Sequence, residues 1–157
     1  MRASPAIPRS IAARATAGEQ VAALPYRVTE TRLEVLLVTS RRTRRWIVPK
    51  GWPAQGLSPA ANAAREALEE AGISGEIGDS SLGVFHYFKE MKHGVGVPCR
   101  VELFPLKVTR QRKTWAEKGV RDVKWFSVAE GAALVAEVEL KRLILKFAAQ
   151  FAAGKLR

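Results

Sequence analysis

Three glutamates crowd one turn of a predicted helix. The stretch REALEEAG, residues 65–72, places Glu66, Glu69 and Glu70 at positions i, i+3 and i+4, which share one face of an α-helix. Like charges at this spacing repel each other, and the last two also stand in the final turn, where the helix dipole disfavours negative charge. A sequence that breaks local rules in this way usually does so at a functional site.

A divalent cation would remove the repulsion between these carboxylates. Oxygen ligands suit the hard ions Mg²⁺ and Mn²⁺, and Mg²⁺ is commonly held by a few carboxylates together with the phosphates of a substrate. The triplet therefore indicates a Mg²⁺ site, with Mn²⁺ as the alternative ion. It also points to hydrolysis of a diphosphate, in which water attacks one phosphorus while the metal neutralises the departing phosphate.

The charge of the whole chain points to an anionic partner. Lys and Arg outnumber Asp and Glu by 26 to 15, which gives a formal net charge of +11, and such a field attracts nucleic acid, nucleotides or phosphate-rich small molecules. Basic residues cluster in RRTRR (41–45), KEMKH (89–93) and RQRK (110–113), all in predicted loops. Each cluster alone is typical of a solvated loop end, whereas convergence on one site would favour phosphate binding.

The glutamates belong to a helix whose two ends are clear in the sequence. Ser58 is the predicted N-cap, Pro59 the first helical residue, and Gly72 the residue that ends the helix after residue 71. One side of this helix carries small or apolar residues that allow close packing on a sheet, so the glutamates are expected to face outward. Those residues are Ala60, Ala64, Ala67, Leu68 and Ala71.

The other segments alternate strands with helices. Two apolar strands separated by the polar TETR predict a hairpin, and an amphipathic pattern predicts a C-terminal helix. In chain order the predicted strands are EQVAALPYRV, LEVLLVTS, a short strand in RWIVPKGWP that enters a Pro and Gly loop, SLGVFHYF, CRVELFPLKV and RDVKWFSV. A short helix VAEGAALV capped by Ser127 and a long helix ELKRLILKFAAQFAA follow. The expected architecture is α+β, an α/β/α sandwich around a mixed sheet.

Length and composition predict a single domain. A chain of 157 residues with 47% hydrophobic content can bury its own core, and we assign the domain to residues 19–157. Residues 1–18 contain arginines but no acid and predict a disordered basic tail, with a transit peptide as the alternative. The single cysteine, Cys99, favours a reducing cytoplasm and is expected to be a buried small residue. No apolar run approaches membrane-spanning length.

From Gly51 the chain runs GWPAQGLSPAANAAREALEEAGI, which resembles the Nudix box of the Nudix hydrolases. That box is Gly, five residues, Glu, seven residues, then Arg-Glu-apolar-x-Glu-Glu-x-Gly-apolar. The chain departs from it at Leu57, where the box has Glu, and that Glu supports the loop and the box arginine in relatives. We therefore expect reduced efficiency more than lost metal binding. The matching residues are Gly51, Arg65, Glu66, Ala67, Glu69, Glu70, Gly72 and Ile73.

The resemblance implies roles for individual residues. The implied metal ligands are Glu66, Glu69, Glu70 and the backbone carbonyl of Lys50, just before the box glycine. Arg65 joins the glutamates in the implied catalytic set and needs a partner other than residue 57.

A further carboxylate is implied by the family pattern. In this family a carboxylate from a loop far along the chain often acts as an additional metal ligand or general base. Glu117, in the predicted loop TWAEKGVRD, is our candidate, ahead of Glu90 and Glu102.

The resemblance extends beyond the box, over about residues 20–150. The stretches RRWIVPKGWP, VELFPLKV and RDVKWFSVAEGAALV resemble the diphosphoinositol polyphosphate and diadenosine polyphosphate branch, whose members cleave phosphoanhydride bonds in highly charged substrates. Lys50 and Arg45 are the first candidates for phosphate contacts because they lie nearest the box. The full candidate set is Arg41, Arg42, Arg44, Arg45, Lys50, Gly51, Lys89 and Lys92.

Three other side chains carry weaker signals. Trp46 and Trp52 flank the predicted substrate loop and are candidates for stacking on a nucleobase, although packing is the more common role of such residues. His86, inside the strand VFHYF, could act as a base at neutral pH, but a structural histidine is the more common case.

These observations predict a Mg²⁺-dependent hydrolase of phosphoanhydride bonds, acting on a polyphosphate-bearing small molecule and not on a membrane. A nucleotide-sugar or ADP-ribose hydrolase and an RNA 5′-end pyrophosphohydrolase are alternatives within the same chemistry. The alternative from another class is a non-catalytic basic module that binds nucleotides or nucleic acid. An anionic helix face would repel nucleic acid unless metal occupied it, so the glutamates favour the enzyme.

Overall fold

The described part of the chain comprises residues 18–90, 94 and 96–154. In the computed structural model it contains eight strands and three helices. Lys92 and residues 1–17 of the predicted tail lie outside the described residues. The strands are β1 (Glu19–Val28), β2 (Leu33–Thr39), β3 (Trp46–Ile47), β4 (Lys50–Gly51), β5 (Ile73–Ile77), β6 (Gly83–Glu90), β7 (Gly96–Gln111) and β8 (Val123–Ser127), and the helices are α1 (Pro59–Ala71), α2 (Val128–Leu134) and α3 (Val138–Ala152).

The strands form one mixed sheet. Its central order is β3-β2-β1-β7-β5, while β8 pairs with β2, β4 with β1 and β6 with β7. β1 and β7 run parallel, and the other pairs are antiparallel. The predicted hairpin between β1 and β2 is confirmed, with the Thr29 N–H donating to the Arg32 carbonyl across the turn at 2.9 Å.

Helices cover both faces of the sheet. β1 and β2 are buried along consecutive residues, which is typical of strands covered on both sides. α1 packs on β1, β4, β5 and β7, whereas α2 packs on β2 and β8, and α3 packs on α2 and β6. On the α3 side the rings of Tyr26 and Phe147 have centroids 4.8 Å apart. The predicted α+β sandwich is confirmed.

The ends of α1 lie where the sequence predicts them. The Ser58 Oγ accepts the Ala61 N–H at 3.1 Å, and Pro59 occupies the first helical position. Gly72 ends the helix in the left-handed conformation, with φ of 70°. The predicted cap of α2 is also confirmed, because Ser127 and Glu130 form a capping box.

The strand predictions are wrong in three details. The strand β5, ISGEI, was not predicted, because its Ser and Gly give no strand pattern and its order comes from pairing with β7. The stretch RWIVPKGWP contains two short strands, β3 and β4, rather than one. β7 has 16 residues and extends beyond the predicted CRVELFPLKV at both ends.

The burial of the single cysteine and the lengths of the apolar helices can also be compared with the sequence. Cys99 is 1% exposed, as expected of a buried small residue. Within residues 18–90, 94 and 96–154, no helix has the length and apolar character needed to cross a membrane.

Candidate functional site

The expectation that all three helix glutamates face outward is wrong. Glu66 is 9% exposed and Glu70 is 5% exposed, whereas Glu69 is partly exposed. The backbone of β4 passes directly over Glu66, and a Cβ atom at Gly51 would lie 2.3 Å from the Glu66 carboxyl carbon. Glycine is therefore required at residue 51 for this carboxylate to occupy its place.

The two buried carboxylates line a cleft of about 1300 Å³. Two of the three basic segments reach this cleft, namely residues 41–45 and residue 89, while the described lining includes no residue of 110–113. We call these two carboxylates the acidic wall of the cleft, and the basic side chains that line it the basic rim. The basic lining residues are Arg41, Arg42, Arg45, Lys50, Lys89 and Arg121.

Burial dominates the electrostatics of this wall. It raises the pKa of Glu70 to about 8 in spite of the nearby Arg121 and Lys50 charges. Burial, followed by the charge of Glu69, also raises the pKa of Glu66. In turn, burial lowers the pKa of Lys50 to about 8, although Glu70 opposes this change. The positive charge around the two carboxylates is therefore insufficient to keep them in their ordinary pKa range.

Arg65 finds its partners among the helix glutamates. Its Nη2 lies 3.5 Å from Glu66 Oε2, and its Nε lies 3.7 Å from Glu69 Oε2. Both distances are long for charge-assisted hydrogen bonds, and the buried Nε has no hydrogen-bond partner among the described residues. Leu57, which replaces the box glutamate, is 45% exposed.

Asn62 organises the loop before α1, and sequence reasoning missed it. This fully buried side chain accepts the Ala54 N–H at 3.0 Å through Oδ1. Its Nδ2 lies within hydrogen-bond distance of the carbonyl oxygens of Ala54, Leu57 and Ser58, at 3.2, 3.4 and 3.2 Å. A signal was present, because asparagine is unusual in the middle of an alanine-rich helix.

Arg121 was also missed, and it brings Glu117 to the site. Its Nε donates to Glu117 Oε1 at 3.0 Å and its Nη1 to the Thr39 carbonyl at 3.1 Å. Its Nη2 lies 3.7 Å from Glu70 Oε2. The charge of Glu117 contributes to the raised pKa of Glu70, which places the predicted loop carboxylate near the helix carboxylates. No local sequence pattern indicates this contact, because Thr39 is 82 residues away along the chain.

The arginines of residues 41–45 differ in their surroundings. Arg44 is outside the cleft lining, with φ of 56°, and it contacts the Val120 carbonyl at 3.0 Å and Asp122 at 3.2 Å. Arg45 lines the cleft but lies 2.7 Å from Glu137. The acidic partners absent from the neighbouring sequence are thus supplied by distant segments. Arg44 is bound away from the cleft, which does not favour its predicted phosphate contact.

Other candidates divide between the cleft and elsewhere. Trp52 lines the cleft and is 38% exposed, whereas Trp46 packs edge-on against Phe126, with ring centroids 5.0 Å apart. His86 is outside the lining, and its Nδ1 lies 3.1 Å from Glu139 Oε1. Glu102 borders a separate small cavity at the start of α1. The ion-pair contact of His86 and its place outside the cleft lining agree with the structural role that the sequence favours for it.

The residues present fit a divalent cation held partly by substrate. In the described part of the chain, no three acidic, histidine or cysteine side chains are gathered as a ready metal site. Arginines lie beside two of the helix carboxylates, Arg65 beside Glu69 and Arg121 beside Glu70. The two buried carboxylates, Glu66 and Glu70, nevertheless have too little positive charge around them to keep their pKa values in the ordinary range. This donor set suits Mg²⁺, which needs only one or two carboxylates when phosphates and waters complete its shell.

Comparison with known proteins shows the family. Residues 18–147 match the model of the NUDIX domain. The chain is 36% identical over 115 residues to diphosphoinositol polyphosphate phosphohydrolase 3-alpha of Mus musculus, covering 71% of this chain and 65% of that protein. It is 30% identical over 119 residues to Nudix hydrolase 12, mitochondrial, of Arabidopsis thaliana, covering 74% and 59%. The matches span less than two thirds of the length of these relatives.

The fold is shared with solved structures. A C. elegans Ap4A hydrolase superimposes with a TM-score of 0.66 at 24% identity, covering 85% of this chain and 97% of that one. A likeness at this identity concerns the fold, and it agrees with the sandwich and helix positions described above. Together with the family match over residues 18–147, it leads to one conclusion: this chain belongs to the NUDIX domain family.

Proposed function

We propose that this protein hydrolyses a phosphoanhydride bond in a highly anionic substrate, with Mg²⁺ as its cofactor. The observation that carries the proposal is that buried Glu66 and Glu70 share one cleft with a basic rim. A diphosphate bound with a divalent cation needs both features, because carboxylates hold the cation while Arg and Lys bind phosphate oxygens. A cleft with only one of them would suit either a metal or an anion, but not their complex.

The cation would be held by Glu66, Glu69, Glu70 and the carbonyl of Lys50. When bound, it supplies neutralisation of the diphosphate charge and a lower pKa for an attacking water. In the hydrolysis the water oxygen bonds to one phosphorus, the bridging P–O bond breaks, and the bridging oxygen leaves with the other phosphorus. The proton released by the water needs an acceptor, and Glu117 is our candidate because Arg121 holds it beside Glu70.

The substrate class that we propose is a diphosphoinositol polyphosphate or a diadenosine polyphosphate. Arg41, Arg42 and Lys89 extend the basic lining beyond the carboxylates, which suits a substrate with more phosphates than a single diphosphate. The names of two similar proteins refer to these two substrate types.

Two aromatic side chains favour the diadenosine polyphosphate as a specific candidate. Trp52 and Phe88 both line the cleft and are 38% and 72% exposed. An exposed aromatic ring at a cleft can stack on a nucleobase, whereas an inositol ring offers no comparable flat face. Phe88→Ala should therefore weaken turnover of a diadenosine polyphosphate more than that of a diphosphoinositol polyphosphate.

A substrate panel tests the proposal. Purified protein with Mg²⁺ is incubated with a diphosphoinositol polyphosphate, a diadenosine polyphosphate, ADP-ribose and a 5′-triphosphorylated RNA, and the products are separated by chromatography. We expect turnover of at least one of the first two substrates to exceed that of the others, and EDTA to abolish it. Absence of hydrolysis on all four substrates, or equal turnover in EDTA, would contradict the proposal.

We also propose that the protein acts on small molecules in the cytoplasm rather than on nucleic acid. The acidic wall of the cleft opposes a second polyanion in the absence of metal, and the single cysteine, Cys99, is buried and unpaired. Cell fractionation tests the location, and titration of a short RNA without Mg²⁺ tests binding. Tight RNA binding without metal would support the non-catalytic module instead.

A further inference from the structure

We propose that Trp115 is a positioning residue for the carboxylate cluster. It docks residues 112–121 on the C-terminal end of α1 and so fixes Glu117 and Arg121 beside Glu70. The catalytic part of this inference rests on the proposed function, whereas the docking itself does not.

The docking gives hydrogen-bond partners to backbone carbonyl groups at the C-terminal end of α1. The last carbonyl groups of an α-helix lack partners within the helix, and here three donors from residues 112–121 bind carbonyl groups at that end. The indole Nε1–H of Trp115 donates to the Glu70 carbonyl at 3.2 Å. The backbone N–H of Glu117 donates to the Glu69 carbonyl at 3.0 Å, and that of Arg112 to the Gly72 carbonyl at 2.8 Å. The segment is therefore held by the same turn that carries the glutamates.

The indole ring also fits against the helix terminus. A Cβ atom at Gly72 would lie 2.4 Å from Cε3 of Trp115, so the close approach needs glycine at residue 72. The segment closes around the ring, because the Lys118 N–H donates to the Trp115 carbonyl at 3.2 Å and the Lys118 ammonium lies 5.4 Å from the ring centroid. Trp115 thus contacts the end of α1 both through its indole N–H and through its ring.

Trp115 does not line the cleft. Its effect on catalysis is therefore exerted through other residues. Two residues further along, Glu117 accepts the Nε–H of Arg121, whose Nη1 is bound to the Thr39 carbonyl of β2. Trp115 therefore attaches the segment to α1, beside the Arg112 and Glu117 amides, and Arg121 attaches it to β2. Loss of the first attachment would leave Glu117 with fewer constraints relative to Glu70.

The test compares two matched substitutions. Trp115→Phe keeps an aromatic ring and removes the donor to the Glu70 carbonyl. Trp125→Phe, on β8, removes an indole N–H that has no hydrogen-bond partner among the described residues, and serves as the control. Each variant is compared with the full-length wild type by thermal melting, by amide hydrogen exchange and by steady-state kinetics on the best substrate of the panel.

We expect Trp115→Phe to lower kcat about tenfold, the size of effect that loss of one positioning hydrogen bond produces, with KM within about twofold of wild type. Amide exchange at Arg112 and Glu117 should become faster, while the amides in the middle of α1 keep their protection. Trp125→Phe should change neither kcat nor this exchange.

Three results would overturn the proposal. They are unchanged exchange at Glu117, faster exchange without any change in kcat, and a fall in kcat that merely follows a large drop in Tm. If the wild type hydrolyses no substrate, the proposed function fails first, and calorimetric titration with Mn²⁺ decides this inference alone. Positioning predicts weaker Mn²⁺ binding in Trp115→Phe than in Trp125→Phe, and equal affinities would contradict it.

Discussion

The Nη2 atom of Arg121 lies 3.7 Å from Oε2 of Glu70, with the two side chains 13% and 6% exposed. This distance is too long for a charge-assisted hydrogen bond, and the Nε and Nη1 of Arg121 are bound to Glu117 and Thr39. Glu70 therefore receives only part of the compensation that a buried carboxylate needs, which agrees with its pKa of about 8. A divalent cation would supply the remaining positive charge.

The metal-free protein should lose stability as the pH rises from about 5 to 8. The pKa of Glu70 is raised from 4.5 to about 8, so the folded state binds more protons than the unfolded state in this window, and unfolding becomes easier with rising pH. Glu66 acts in the same direction. The lowered pKa of Lys50, about 8 against 10.5, has its effect above this window, where stability should rise with pH.

Glu70→Gln should flatten this pH dependence. We expect the metal-free variant to be more stable than wild type at pH 8 by roughly 1 to 3 kcal/mol, and similar to wild type at pH 5. Urea denaturation at the two pH values measures the difference. Glu76→Gln, at an exposed residue of β5, is the control. A Glu70→Gln variant that is less stable than wild type at pH 8 would show that Glu70 holds the structure rather than a cation.

Mg²⁺ should raise Tm more at pH 8 than at pH 6. A ligand that binds only the folded state stabilises it by mass action, and protons compete with the cation for Glu66 and Glu70, whose pKa values are raised. Thermal melts with and without Mg²⁺ at both pH values measure the effect, and NaCl of equal ionic strength is the reference. An equal Tm rise with Mg²⁺ and with NaCl would speak against a specific site.

Residues 41 and 89 should matter most for highly charged substrates. Arg41→Ala combined with Lys89→Ala removes two cleft cations, and we expect a loss of roughly 1 to 3 kcal/mol in kcat/KM for a polyphosphate substrate. The loss should be smaller for ADP-ribose, and it should shrink with added salt. The control combines Lys107→Ala with Arg110→Ala, two exposed residues of β7 outside the cleft lining. Equal losses on both substrates would contradict a role in binding distal phosphates.

Asn62→Ala should destabilise the protein and disturb the loop before α1. The fully buried amide binds the Ala54 N–H and carbonyl as well as the Leu57 and Ser58 carbonyls. Leaving such groups without partners costs roughly 1 to 3 kcal/mol. The midpoint of urea denaturation measures the loss, and Asn62→Asp should recover none of it, because its second carboxylate oxygen would face the three carbonyl oxygens that Nδ2 now contacts. If Asn62→Ala left the stability unchanged, Asn62 would not hold this loop.

Local signals allowed much of the fold to be predicted. Ser58, Pro59 and Gly72 define the ends of α1 by interactions within a few residues, and such ends can be read from sequence. The crowding of Glu66, Glu69 and Glu70 indicated a special site for the same reason. The strand β5 could not be predicted, because its order depends on pairing with β7 rather than on its own residues.

The site was less accessible to prediction where contacts join distant segments. The burial of Glu66 depends on β4 passing over α1, and the placement of Glu117 depends on Arg121 and Trp115 contacting β2 and α1. Helical periodicity places residues on a face but does not say which neighbour covers that face. The three glutamates were therefore grouped correctly, but Glu66 and Glu70 were wrongly predicted to be exposed to solvent.

The central claim is that the carboxylates of α1 bind the cation that hydrolysis of a phosphoanhydride requires. The most direct measurement is turnover of the best polyphosphate substrate as Mg²⁺ is titrated from zero, in wild type and in Glu69→Gln and Glu70→Gln. Wild type should show no turnover in EDTA and saturable activation by Mg²⁺. Each variant should lose roughly two or more orders of magnitude in rate at saturating Mg²⁺. Near-wild-type turnover in EDTA, or in Glu70→Gln, would contradict the claim.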